Sequence, residues 1–459
     1  MTAPRRFCVK TPFGGYTAGE VIKMSSIWQK SVTRPHFPSL KEDLETEVLI
    51  IGGGLAGLLC GYFLQQEGVD CVIVEADVIC GGVTENTTAK ITSQHGLVYQ
   101  KLTKEFGSEG AGLYYEANQA ALDEYRRLCR SIDCDFEERD SFVYSRTSRE
   151  KLEKELRAIE EFGGEAEYVE TLPLPFATMG AVKFPRQAQF DPLKFAFTIA
   201  GELNIYEHTA VEELGPGEAV TEGGRITADQ IVVCTHFPLL NKHGSYFLKM
   251  YQERSYVLAL DDGPNVGGMY LDEETGGLSL RNYRNYLLLG GSTHRTGKSG
   301  EAWEELSSQA NKYFPGKKEV CRWATQDCMT LDGIPYVGAY SAGTEGLYVA
   351  TGFNKWGMTS SMVSALLLCD LIAGRENPYA HLYSPSRSIL RPQLAVNTME
   401  AAAGFLTPST PRCPHMGCAL KWNEAEGTWD CPCHGSRFTK EGALLIGPAQ
   451  GDLPERSNE

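Results

Sequence analysis

The sequence predicts an α/β protein in three parts: a discontinuous, parallel-stranded first domain, a mixed α+β domain inserted into it, and a small all-β domain at the carboxyl end. Three observations carry this expectation. EVLIIGGGLAGLLCGYFLQQEGVDCVIVEA, from Glu47 to Ala76, reads as strand, glycine turn, helix and strand. The stretch from Tyr251 to Ser292 alternates between glycines in the manner of antiparallel strands. Near the end of the 459-residue chain, Cys413, His415, Cys431 and His434 stand in the order CxH then CxxH, inside CPHMGC and CPCHGSRF.

The first element is Rossmann-like. Gly52 lets the chain turn sharply, Gly54 lets the backbone approach a pyrophosphate, and Gly57 lets the helix pack closely on the strand. The helix N-terminus then faces the phosphate charge. Glu75, ending the second strand, is placed to accept from a ribose hydroxyl. Glycines also mark ordinary turns. The apolar strand before them and the acid after them make Gly52, Gly54, Ala56, Gly57 and Glu75 a dinucleotide site, without separating NAD from FAD.

Later segments favour FAD. TLDGIPYVG (330–338) and GLYVATGFNKWGMTSSMVSALLLCDLIAG (346–374) resemble the closing flavin motif of the D-amino-acid oxidase and sarcosine oxidase superfamily, which includes glycine oxidase-like proteins. RQAQFDPLKFAFTIAGEL, with its Asp191-Pro192 helix start, and ADQIVVCTH also look like segments of that family. The TTAKITSQHG stretch (87–96) resembles a bacterial subgroup whose FAD oxidoreductase carries a C-terminal Rieske domain.

The resemblance implies FAD-binding stretches at about 45–96, 186–236 and 320–376, with the substrate domain at about 97–185 and 237–319. It also implies removal of a hydride from the carbon beside an amine nitrogen. Gly352, Lys355, Trp356, Gly357, Met358 and Thr359 match positions around the flavin ring, where the helix N-terminus would stabilise reduced flavin. Thr88, Lys90 and His95 match flavin-contacting positions after the second strand.

Lys355, His95 and Arg284 are the candidate catalytic residues. Lys355 would stabilise reduced flavin by its charge, the alternative being a solvated loop lysine. His95 reads equally as a base or as a structural donor. Arg281, Arg284 and His294, on the substrate sheet, are candidates for carboxylate binding or proton transfer. Cys328 is offset from the family's covalent attachment position, so FAD is expected to bind non-covalently.

The Cys/His order at the carboxyl end is the ligand pattern of a Rieske [2Fe-2S] cluster, with Cys413 and Cys431 on one iron and His415 and His434 on the other. Structural zinc usually pairs like with like instead. Cys418 and Cys433 match the extra cysteines that form a disulfide in Rieske proteins of quinol-oxidising complexes. Two departures stand out. Few strand signals precede Cys413, so the domain reads as abbreviated, and Phe438 replaces a tyrosine that donates to a ligand sulfur in high-potential relatives. Ser436 keeps the other donor, which predicts a potential below that of those relatives.

Prolines 378, 385 and 392 suggest a linker at 381–400, ahead of a cluster domain at 401–459. Residues 1–44 read as an N-terminal tail, with 1–23 as an extension from an upstream start. A net charge of −16 disfavours nucleic acid as a partner. Of fourteen cysteines, ten are scattered outside the cluster segment, which suits a cytoplasmic protein, and no stretch is long and apolar enough to span a membrane.

The resulting expectation is an amine or amino-acid dehydrogenase that passes electrons from a small-molecule substrate through FAD to the cluster, and on to a carrier protein or a quinone. A flavin–Rieske reductase running the other way, or a redox-sensing electron-transfer module, is the alternative. A Rieske oxygenase is disfavoured, because none of the nine histidines forms a close pair beside an acid as a mononuclear iron requires.

Overall fold

A computed structural model describes residues 23–239, 243–298, 300–408 and 411–454. The strand Leu44–Ile51 lies inside a mostly parallel sheet, between Gly224–Val233 and Cys71–Val74. Its VLII run is apolar without alternation because both faces are covered. Val48 and Ile50 enter one core with the helices Leu55–Gln66 and Gly357–Ile372, while Leu49 and Ile51 enter a second core on the other face.

A larger sheet packs over this unit. Its central strands are Glu319–Thr330, Met250–Leu260, Tyr286–Arg295 and Ser279–Tyr283, each antiparallel to the next. Alternation sorts their side chains. Val257 and Ala259 join the core shared with the parallel unit, and Tyr256, Leu258 and Leu260 face the helix Ala302–Tyr313. The helix Pro192–Ala200 starts as its sequence suggests: Asp191 caps it by accepting from the Leu193 and Lys194 N–H groups, and proline occupies the first turn.

The carboxyl end forms a four-stranded antiparallel sheet from Lys421–Asn423, Thr428–Asp430, Arg437–Phe438 and Leu444–Ile446. A helix, Pro392–Leu406, packs on it through Gly404, where an added Cβ would lie 2.9 Å from the Cys433 sulfur.

Several expectations about boundaries differ from what the fold shows. Part of the stretch read as a linker is this helix, since Pro392 sits at its first turn, where proline needs no donor. Part of the tail joins the body. Lys23–Met24 pairs with Cys321–Arg322, and Trp28 is fully buried with its ring 4.7 Å from Tyr283. The reading of 1–23 as an extension lies outside the described residues up to position 22. Ala181–Gln189 and Glu319–Thr330 pair in the larger sheet, although the sequence reading gave residues 186–189 and 320–330 to the flavin-binding stretches. Among the described residues, no helix is long and apolar enough to cross a membrane.

Candidate active site and cluster site

The glycine turn holds itself together. Gly52 has φ +113°, and a Cβ there would lie 2.6 Å from the Cys234 carbonyl oxygen. A Cβ on Gly57 would lie 2.0 Å from the Gly52 carbonyl oxygen, so that position admits only glycine while the turn keeps its shape. Gly54 caps the helix, with Ala56 in its first turn, and the nearest atom to an added Cβ at Gly54 is Thr84 Oγ1 at 3.6 Å. That space is what a closely approaching pyrophosphate requires. Glu75 accepts from the Gly53 and Asp77 N–H groups at 2.7 and 3.0 Å, and burial raises its pKa.

The second turn, Gly352 to Met358, leads into the helix Gly357–Ile372. Gly352 has φ +72°, and an added Cβ would be 2.3 Å from the Thr330 methyl. Lys355 is itself left-handed, at φ +73°, and its Nζ reaches the Glu253 carboxylate at 2.7 Å. Asp327, opposite Glu253 in the sheet, is raised by burial to about 6, although Lys355 pulls it down.

His95 supports this turn from below. Its ring stacks on Trp356 at 4.6 Å, Nδ1 meets the Tyr114 hydroxyl at 2.7 Å, and Nε2 meets the Thr92 carbonyl and Thr359 Oγ1 at 2.7 and 3.0 Å. Burial drives its pKa down to about 3, so the ring is neutral. Of the two readings left open for His95, the geometry matches the structural donor, because both ring nitrogens are engaged.

Lys90 and Arg281 bring two cations together. Lys90 donates to Ser279 Oγ at 2.5 Å and to Thr88 Oγ1 at 3.4 Å, and burial, with Arg281 nearby, lowers its pKa to about 7. Arg281 is 1% exposed. Its Nη1 donates to the Ala89 carbonyl at 2.7 Å, whereas Nε and Nη2 are buried without a hydrogen-bond partner. Burial lowers its pKa to about 9.

Arg284 does not join this group. It occupies the hairpin turn between the strands Ser279–Tyr283 and Tyr286–Arg295, where its side chain is 53% exposed and pairs with Asp135 at 3.0 Å. The turn aims it outward, so the placement argues against the catalytic role expected of it. His294 stacks on Tyr256 at 5.6 Å, away from Lys355, and Cys328 is buried in the second core.

The cluster residues lie on two loops. Cys413 N–H donates to the Cys418 carbonyl and Cys431 N–H to the Ser436 carbonyl, each at 2.8 Å, and a disulfide joins Cys418 to Cys433. The His415 and His434 rings are 5.0 Å apart at 89°. Cys413 and Cys431 share a hydrogen bond that lowers the Cys413 thiol and raises that of Cys431, so the two sulfurs meet at one point between the loops. His434 Nδ1 is buried without a partner, while Nε2 meets the Phe247 carbonyl at 3.0 Å. One nitrogen oriented by a carbonyl and the other left for metal is the usual arrangement of a metal-ligating histidine. Phe438 is fully buried in the small domain's core.

The structure adds residues that no local motif announced. Gln252 Nε2 donates to the His434 carbonyl at 2.6 Å, and Gln326 donates to the Gly435 carbonyl at 2.8 Å. Glu426, from the small domain, accepts from Arg254 Nε and from the Tyr256 hydroxyl at 3.0 Å each, and pairs with Arg437 at 3.0 Å. Burial would raise this carboxyl, but Arg254 and Arg437 bring it down to about 2. Only the charges themselves were visible in the sequence.

The profile of the family described as FAD dependent oxidoreductase matches residues 47–371, well over half the chain. The chain belongs to that family. The Rieske [2Fe-2S] domain profile matches residues 392–456. The two cofactors are therefore FAD and a Rieske cluster, and the glycine turn and the Cys/His loops have the donors and space these groups need. A protein of Bacillus subtilis (strain 168), YhfW, named as a Rieske 2Fe-2S iron-sulfur protein, is 35% identical over 92% of this chain and 95% of its own length. Gamma-glutamylputrescine oxidoreductase of Escherichia coli (strain K12) is 24% identical over 75% of this chain and 88% of its own. Among solved structures, glycine oxidase from Geobacillus kaustophilus has a TM-score of 0.63 at 20% identity, covering 75% of this chain and all of that one.

Proposed function

We propose that this FAD-dependent oxidoreductase dehydrogenates an amine that carries a carboxylate, such as an amino acid, and delivers the electrons singly through the Rieske cluster to an external one-electron carrier or a quinone. The carrying observation is the latch of the cluster domain. Glu426 is held by Arg254 and Tyr256, on the same strand whose Glu253 meets Lys355. Such a body keeps the cluster at a constant separation from the Lys355 turn, which suits internal electron transfer.

When bound, the flavin accepts two electrons as a hydride, and the cluster accepts one electron at a time. The residues of this chain do the rest. Arg281, buried with two unpartnered donors, supports a carboxylate subsite, since a buried guanidinium is stable only when its donors meet an anion or other acceptors. Lys90, held near neutrality beside it, is placed to move a proton to or from the substrate nitrogen. His95 and Tyr114 fix Trp356 and so shape the wall under the turn. Lys355 contributes positive charge, balanced by Glu253.

The test is an anaerobic panel pairing amino acids and N-alkyl amino acids with the corresponding amines that lack the carboxylate. The expected result is flavin bleaching followed by the Rieske electron paramagnetic resonance signal, with carboxylated members only. Bleaching by the plain amines at equal rate would refute the carboxylate subsite. A panel that leaves both centres oxidised, in protein whose two centres dithionite reduces, would refute the amine reading.

A further inference from the structure

Two routes from the Lys355 turn meet at one side chain. In the first, Lys355 Nζ meets Glu253 at 2.7 Å, Glu253 follows Gln252 in the chain, and Gln252 Nε2 donates to the His434 carbonyl at 2.6 Å. In the second, Asn354, the residue before Lys355, donates its N–H to the Cys328 carbonyl at 3.0 Å, and Gln326, two residues earlier on that strand, donates to Gln252 Oε1. Gln252 is 1% exposed, and its Oε1 accepts from Gln326, which also holds the Gly435 carbonyl at 2.8 Å.

The surfaces are shaped for this contact from both sides. An added Cβ on Gly435, in the cluster loop, would lie 2.7 to 2.9 Å from three carbons of Gln252. An added Cβ on Gly297, in the turn that follows the strand Tyr286–Arg295, would lie 2.7 Å from Pro432 of the cluster loop. The two histidine ligands consequently differ. His434 is 3% exposed and seated on Phe247 and Gln252, whereas His415 is half-buried on the outer loop.

We infer that Gln252 is a positioning residue for electron transfer: it seats the His434 loop on the strand beside the Lys355 turn and supplies a bonded route between the flavin side and the cluster. This rests on the flavin-to-cluster reading above. In the step concerned, one electron leaves reduced flavin and one ferric ion of the cluster becomes ferrous, with no bond made or broken in the protein. His434 is then the entry side of the cluster, and His415 faces the acceptor.

The test uses the full-length protein loaded with both cofactors, without substrate or acceptor, its flavin reduced by a light flash with EDTA as the electron donor. Wild-type protein should show the Rieske signal following the flash. Gln252→Met should keep its iron content, g-values and cluster midpoint potential while that signal appears about 10- to 100-fold more slowly, the usual scale of losing such a supporting bond. Gly435→Ala, which lifts the loop from the other side, should slow it similarly, and Lys298→Ala, breaking an exposed ion pair with Glu400 at the rim, should leave it unchanged. If Gln252→Met loads poorly, Gln252→Glu, of nearly the same size but lacking the donor, decides in the same sense. Wild-type rates in the Gln252 and Gly435 variants would overturn the inference. A wild-type cluster that stays oxidised after the flash would instead overturn the flavin-to-cluster reading on which the inference depends.

Discussion

The glycine turn at 52–57 and the cluster loops at 413–418 and 431–436 are both recognisable motifs, yet they are supported in opposite ways. The glycine turn is braced mainly from close at hand, by the Gly52 carbonyl, the Gly54 cap and the Glu75 carboxylate. The cluster loops are braced from far along the chain, by Phe247, Gln252, Gln326 and the Arg254–Glu426 pair. A short domain with few strands of its own uses the larger sheet as its missing wall. Sequence abbreviation and tertiary docking are thus two sides of one fact.

The strongest way to break this contrast is Glu426→Gln. It leaves Arg254 and Arg437 buried with a weakened partner, and removing one member of a buried pair costs about 3–5 kcal/mol. The expected outcome is loss of the cluster domain's thermal protection, read by its visible circular dichroism, at a temperature where flavin is still retained. Simultaneous release of both cofactors would show that the two regions are not separately supported.

Arg281→Met probes the buried guanidinium whose Nε and Nη2 lack a hydrogen-bond partner. If its free donors bind a carboxylate, the variant should lose about 1.5–3 kcal/mol of substrate binding, seen as a higher KM for carboxylated substrates. Thermal stability should rise or stay level, because a buried cation with two unsatisfied donors beside Lys90 has been removed.

Gly57→Ala strikes the locally braced turn. Its methyl would meet the Gly52 carbonyl oxygen at 2.0 Å, so an overpacking cost of about 1–3 kcal/mol is expected, expressed as weaker FAD retention. Iron content should not change, because the cluster loops lean on another part of the body.

Acid sharpens the same contrast more gently. The Glu426 pKa is lowered on folding, so its contribution is complete above the ordinary carboxyl value of 4.5 and lost as pH falls toward about 2. A titration across that window should release the cluster domain progressively in wild-type protein and show a much weaker dependence in Glu426→Gln.

Much of the candidate site was legible because it is written in contiguous residues. A GxGxxG turn, a GFNKWG turn and a CxH/CxxH pair each specify chemistry within a few positions, since the physical constraint is local: a positive φ, a close backbone approach, or a ligand on a tight loop. Arg281 and Arg284 show where this ends. Three positions apart, one faces the shared core and the other points outward from a hairpin turn, and only strand register separates them. Prolines 385 and 392 likewise looked alike in the sequence, although one follows a short helix and the other begins a long one.

By itself, the sequence determined the family and the two cofactors, because the glycine turns and the cysteine–histidine order are short-range requirements of phosphate and iron. Tertiary structure alone decided that Glu253 meets Lys355, that Gln252 touches the His434 loop, and that Glu426 closes on Arg254. These contacts join residues about a hundred or more positions apart, and a sheet face that accepts a second domain leaves no periodic trace in either segment.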